Sequence, residues 1–273
     1  MPWKKDTYFG WGRAIGATGD VARPERTSSL RKLLDDHGAA PAIGNKRSYG
    51  DACLANDGRA IDMTRLDRVL DFDPETGVLS VEAGVTLGRL AEVFAPKGWL
   101  PPVMPGTGFA TVGGAIAMDV HGKNHHHAGT FGCHLEDITL MQGSQTVTTK
   151  PGEPLFAATV GGLGQTGVIL KARIRMLSCK GDVMVVTERR MTGWTEFLEA
   201  LDTSDATYSV GWIDATATGT SLGRGILEEG ETKDIITALG HVAKARGMTR
   251  IAEETGLSRP SLYKALSEGS KPQ

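Results

Sequence analysis

Four imidazoles, those of His121, His125, His126 and His127, fall in the stretch DVHGKNHHHAGTFG at residues 119–132, and His134 follows closely. Clustered imidazoles suit a transition metal, or proton transfer near neutral pH. A zinc site needs side chains that converge, such as histidines four apart on one helix face. His121 and His125 have that separation, but Gly122 breaks a helix between them. Three successive histidines in an extended chain cannot all aim at one ion. The expectation is therefore no metal. The glycines on either side suggest instead a loop brought against something else.

Glycine is the composition's main signal, at 36 residues in 273, against a usual share of roughly 7%. Two glycine-containing loops can each present backbone N–H groups to a phosphate: IGNKRSYGDA at 43–52 and PGTGFATVGGAIA at 105–117. Neither fits GxGxxG or GxxxxGK[ST], which argues against a Rossmann site and a P-loop. Each loop alone reads as readily as a structural turn. Together, each leading into the strands of its own half, they favour a bound dinucleotide.

The elements that must position these loops form an α+β pattern. RTSSLRKLLDDHG spaces its apolar residues as a helix ending at Gly38. VLSVEAGV alternates as a half-buried strand after the turn DPETG, and TLGRLAEVFAPKG is a helix closed by Gly98. Strands follow in EDITLMQGSQTVTT and GVILKARIRML, then strand, helix, strand in DVMVVTERRM, WTEFLEALDT and YSVGWIDAT. Without a regular βαβ repeat, a doubly wound sheet is not expected. The seam is placed at ILEEGE, with helix throughout the segment after it. The expected organisation is residues 1–178 as one domain of two subdomains (9–100 and 101–178), 179–226 as a short second domain, and 227–273 as an all-α segment.

The net charge of -2 removes any global attraction to nucleic acid or anionic membrane. Three dispersed cysteines, Cys53, Cys133 and Cys179, form no CxxC pair and suit a reducing cytoplasm, with association at a membrane surface as the alternative. No apolar run reaches the length of a membrane span.

KRSYGD, IDMTRLDRVLDFDPETGVLSVEAGVTLGRL, TVGGAIAMDVHGKNHH, GTFGCH and ATVGGLGQTGVI, in this order, resemble the FAD-binding domain of the vanillyl-alcohol-oxidase-like flavoproteins, in particular the decaprenylphosphoryl-ribose oxidase group. The resemblance runs over about residues 9–226. It implies FAD between two α+β subdomains. Gly44, Asn45, Lys46, Arg47, Ser48, Tyr49, Gly50, Asp51 and Ala52 would wrap the pyrophosphate and reach the flavin. Gly106, Thr111, Val112, Gly113 and Gly114 would line the other side, Met118, Val120 and His121 would approach the isoalloxazine, and Ile169 the adenine end. Some relatives tether the flavin through a histidine where this chain has Tyr49, so non-covalent FAD is implied. Asn45 and Lys46 stand where the group usually has a hydrophobic residue and glycine. In an alcohol oxidase the flavin takes a hydride from a CH–OH carbon. Here His121, Tyr49 and Lys123 are the implied catalytic residues, a sugar alcohol or prenyl-phosphoryl sugar the implied substrate, and a short-chain reductase the implied partner.

The resemblance stops near Gly225, and the substrate domain it predicts is truncated. KDIITALGHVAKARGMTRIAEETGLSRPSLYKALS instead resembles the helix-turn-helix antidote proteins of addiction modules. There Ser258 can cap the second helix, Pro260 fits its first turn, and Arg259, Ser261 and Lys264 would meet DNA. From Arg224 onward eight Lys/Arg face seven Asp/Glu, so the electrostatic footprint on DNA is weak. Three readings follow: a flavin oxidoreductase carrying a helix-turn-helix tail, a DNA-binding regulator carrying a flavoprotein passenger, and an inactive fusion.

Overall fold

The computed structural model describes residues 3–234, which fall into two compact units. The first comprises the chain through Phe94 and Trp99–Ser178; the second holds Ala95–Gly98 and the chain from Cys179 onward. The boundary between the two units falls after Ser178, apart from the four-residue excursion at Ala95–Gly98.

Unit 1 contains two principal sheets. The first, in the order β1-β2-β4-β3, joins β1 (Lys4–Phe9), β2 (Gly16–Ala22), β3 (Ala42–Ile43) and β4 (Arg59–Asp62). Helix α1 (Thr27–His37) covers it with Leu30, Leu33 and Leu34. The helix ends where Gly38 takes φ +75°, a left-handed conformation natural to glycine. The second sheet, in the order β5-β6-β10-β8-β9, joins β5 (Val69–Asp73), β6 (Val78–Glu82), β8 (Leu135–Gln142), β9 (Gln145–Thr149) and β10 (Val168–Arg175). All its pairings are antiparallel. Alternation sets its faces: in β10, Ala172 and Ile174 point into the core, while Lys171, Arg173 and Arg175 point out. Helix α2 (Leu87–Phe94) buries Leu87, Leu90 and Phe94, the stripe that its periodicity predicts. A short ladder of β7 (Trp99–Leu100) with β11 (Leu177–Ser178) closes the unit.

The sheets correct the expected subdomain boundary. β5 and β6 precede residue 100 yet pair with strands that follow it, so the first sheet ends at β4. Hydrophobic continuity explains this. Leu79 and Val81 of β6 pack with Ile138, Leu140 and Ile174, while Ile61, Met63 and Leu66 join Met141, Val168 and Leu170 in a cluster bridging the two sheets. The β1–β2 hairpin is a further element with no clear mark in the sequence.

In unit 2, β12 (Val183–Met191) and β13 (Tyr208–Ile213) flank β14 (Gly225–Lys233), both antiparallel to it. Helix α6 (Trp194–Asp202) packs Phe197 and Ala200 against Met191 and Leu227. A Cβ on Gly211 would stand 2.5 Å from the Phe197 ring, so glycine there makes room for that side chain. β14 corrects the expected seam. Residues 227–233, assigned to the helical segment, form the sheet's central strand. Leu227 is fully buried there, and the two flanking strands satisfy both edges of the β14 backbone. The antidote-like helices, with Arg259, Ser261 and Lys264, lie outside the described residues.

Candidate functional site

Within unit 1, the loops that leave the two sheets meet around a cleft lined by Gly44, Thr111, Gly113, Gly114, Leu163 and Ile169, among others. The first loop leaves β3 at Gly44. A Cβ there would lie 2.4 Å from the Thr111 Oγ1, so only glycine allows the two loops this approach. Thr111 caps α3 (Val112–Ala117), its Oγ1 accepting from the Gly114 N–H. Gly113 lies against β6: a Cβ on it would meet that of Ala83 at 3.0 Å. Gly167, at φ +142°, completes the wall at the start of β10.

The two glycine loops differ in what they offer an anion. Among the described residues, no backbone N–H from Gly44 to Ala52 donates a hydrogen bond. In the second loop three donors are committed, Val112 N–H to the Val85 carbonyl, Gly113 N–H to that of Ala83 and Gly114 N–H to the Thr111 side chain, while the N–H groups of Gly106, Thr107 and Gly108 donate no hydrogen bond among the described residues. The first loop thus offers an uninterrupted run of unpaired amides, and the Thr111–Gly114 segment is a close-fitting wall. Val112 itself points into the core and is fully buried.

The structure brings five of the expected cofactor residues to this cleft: Gly44, Thr111, Gly113, Gly114 and Ile169. Gly106 faces open space. Met118 is exposed at the end of α3, and Val120 packs against the core beneath. Ser48 is tied to the N-terminal segment through its carbonyl, which accepts from the Trp11 N–H at 3.0 Å. Tyr49 is 79% exposed, and Gly50, Asp51 and Ala52 are exposed with it. The Arg47 guanidinium lies 5.2 Å from the centroid of the Phe109 ring, itself 62% exposed. Leu163 and Phe109 escaped the sequence reading; the density of glycine in GGLGQTG signals a close approach but not which neighbour forms the wall.

The histidine stretch is a shaped loop. His121 is exposed and forms an isolated bridge with Thr130. Its ring stands 5.5 Å from that of His125, which opens the one-turn helix α4 (His125–Ala128). Asn124 is buried beneath and donates from Nδ2 to the Pro102 carbonyl at 2.8 Å, while its Oδ1 has no partner. Gly122 passes so near Met104 that a Cβ would lie 2.6 Å from that residue's carbonyl oxygen. Among the described residues, no three His, Cys, Asp or Glu side chains group to hold a metal.

The first loop also carries an ion network. The Asp62 carboxyl, at the end of β4, is 1% exposed. Burial pushes its pKa up, but donation from the Thr64 hydroxyl and amide, from Arg23, and the nearby Lys46 charge outweigh burial and hold it below the ordinary carboxylate value.

The glycines of this cleft admit the close approach of a ligand; Gly44 brings the first loop to it, while Asn45, Lys46 and Arg47 line a second cavity with Tyr8, Phe9 and Trp11. Residues 21–150 match the family described as "FAD binding domain". Residues 212–273 match the one described as "Probable addiction module antidote protein". The chain is 38% identical over 243 residues to the decaprenylphosphoryl-beta-D-ribose oxidase of Mycolicibacterium smegmatis, covering 84% of this chain and 53% of that protein. It is 27% identical over 178 residues to a D-lactate dehydrogenase of Anaerostipes hadrus, covering 60% of this chain and 37% of the relative. It is likewise 27% identical over 169 residues to the L-gulono-1,4-lactone dehydrogenase of Mycobacterium tuberculosis, covering 60% and 39%. The chain thus spans about half the length of the first relative and less of the others. Residues 21–150, which match the FAD binding domain family, fall almost wholly within the α+β unit 1 that holds the cleft.

Proposed function

We propose that the chain binds FAD non-covalently in the unit 1 cleft and serves as an oxidoreductase acting on CH–OH groups. The observation carrying this reading is the pairing of a donor-rich first loop with the glycine wall at Thr111–Gly114. The adenosine end would lie toward Ile169 and the pyrophosphate along Gly44–Ala52. Bound FAD would supply a hydride acceptor. Around it, His121 would hold or accept the substrate hydroxyl proton, Lys123 would offset negative charge on the reduced cofactor, and Tyr49 would donate a hydrogen bond or wall the pocket. Tyr49, in place of a tethering histidine, supports non-covalent attachment.

The substrate that this reading favours is a sugar alcohol or prenyl-phosphoryl sugar, supported by similarity to a decaprenylphosphoryl-ribose oxidase, with a short-chain reductase as partner. Purified chain should be yellow and release its flavin into the supernatant on acid precipitation. Colourless protein that gains no thermal stability from added FAD sinks the reading. If FAD binds yet prenyl-phosphoryl-ribose and simple polyols leave it oxidised under anaerobic mixing, the binding reading stands and the activity falls.

The antidote-like match at residues 212–273 supports a second reading, a DNA-binding regulator carrying the flavoprotein domain. A shift assay on the gene's upstream DNA tests it; absence of a complex even at low salt rejects it.

A further inference from the structure

Lys46 takes φ +57°, in the left-handed region where a lysine costs roughly 1 kcal/mol or more over glycine. Its side chain shows what offsets that strain. The ammonium lies 3.5 Å from Asp62 Oδ2 and over the Tyr8 ring, 6.0 Å from its centroid. Asp62 does not need it for neutrality. Arg23 already gives that oxygen two hydrogen bonds, at 3.0 and 2.7 Å, and the Thr64 amide and hydroxyl serve the other oxygen. One carboxylate thus faces two cations, and the cluster keeps a net positive charge at the base of the first loop. The preceding residue ties the loop to a different place: Asn45 Nδ2 donates at 3.0 Å to the carbonyl of Phe109, in the second glycine loop. Two adjacent side chains therefore fix the loop to the first sheet on one side and to the second loop on the other. Beyond those fixings, from Arg47 to Ala52, the loop's own amides stay unpaired.

Resting on the FAD reading above, we propose that Asn45 and Lys46 are positioning residues. They form a two-point latch that presets the first loop's amides for the FAD pyrophosphate, with the surplus charge at Lys46 adding attraction for that dianion. A preset loop has less ordering left to complete on binding, which raises affinity without any new contact.

The full-length chain carrying Lys46→Asn or Asn45→Ala tests this. Asparagine tolerates the left-handed conformation and removes the charge and the reach to Asp62, so the fold is retained. Each variant should weaken FAD binding about tenfold, measured by quenching of flavin fluorescence. Each should speed amide hydrogen exchange over residues 44–52 in the FAD-free chain. Lys46→Asn alone should flatten the rise of the FAD Kd with added salt, because the charge it lacks is the one being screened. FAD affinity within twofold of wild type in both variants, or unchanged exchange over 44–52, overturns the latch; an unaltered salt dependence in Lys46→Asn overturns the role of its charge. A wild-type chain that binds no FAD instead overturns the reading on which the latch rests, so the two failures are distinguishable.

Discussion

A carboxylate as enclosed as that of Asp62 is stable only while every lone pair finds a donor. Its folded-state pKa lies below the ordinary value of about 3.9. A lowered carboxyl pKa contributes stability that is present above the unfolded-state value and is lost as pH falls through the folded one. The urea midpoint should therefore drop as pH is lowered below about 4. Asp62→Asn should flatten that acid slope and cost about 1–3 kcal/mol at neutral pH, the modest figure reflecting the half-exposed Arg23, which water can re-solvate. Equal acid slopes in the two proteins would refute the assignment. Asn124 makes a parallel case beneath the histidine loop. Asn124→Ala leaves the Pro102 carbonyl without its donor and should lower stability by about 1–3 kcal/mol in a urea titration. The seat of His121 should loosen with it.

Two glycines in unit 1 separate what a turn needs from what a site needs. Gly38 ends α1 at φ +75° with open space around it, so Gly38→Ala should cost about 1 kcal/mol of stability and leave FAD affinity unchanged. Gly44→Ala would place a methyl 2.4 Å from the cap oxygen of Thr111, forcing the two cofactor loops apart. FAD binding should fall at least tenfold, read by fluorescence titration, because loop spacing sets the cleft. Equal behaviour of the two variants would show that Gly44 is only a turn residue. The same contrast explains how much of the architecture the sequence discloses. Helices α1 and α2 are legible because Leu30, Leu33 and Leu34, and Leu87, Leu90 and Phe94, repeat at helical spacing with a glycine stop after each helix. That Gly44, Thr111, Gly113 and Gly114 come together is legible through motif alone, and all four line the unit 1 cleft. The swap of β5 and β6 into the second sheet is not legible, since pairing partners some ninety residues apart leave no local trace. Nor is β14: ILEEGETK carries too much charge to look like a central strand, yet Leu227 alone reaches the core while Glu229 and Glu231 accept from Ser204 and from Thr207. The Asp62–Lys46 pair, sixteen residues apart, could be inferred only once the φ of Lys46 was known.

Each unit of the chain has its own core: the clusters around Leu79 and Leu30 in unit 1, and the small one around Phe197 in unit 2. The cleft proposed for FAD draws its lining from unit 1 only. A ligand that binds only the folded form raises its stability by RT ln(1 + [L]/Kd), about 2.7 kcal/mol at a hundredfold excess over Kd. FAD should therefore raise the transition of unit 1, and a defect confined to the unit 2 core should leave that gain intact. Phe197→Ala provides the defect, since it empties the space between α6 and the β12–β14–β13 sheet and should cost about 3–5 kcal/mol there. Calorimetry of wild type and variant, each with and without FAD, checks both expectations. The variant should lose or lower the transition of unit 2 while the FAD-dependent shift of the other keeps its size. If Phe197→Ala abolishes the FAD shift, the cofactor site depends on unit 2, and the assignment of the whole cleft to unit 1 is wrong.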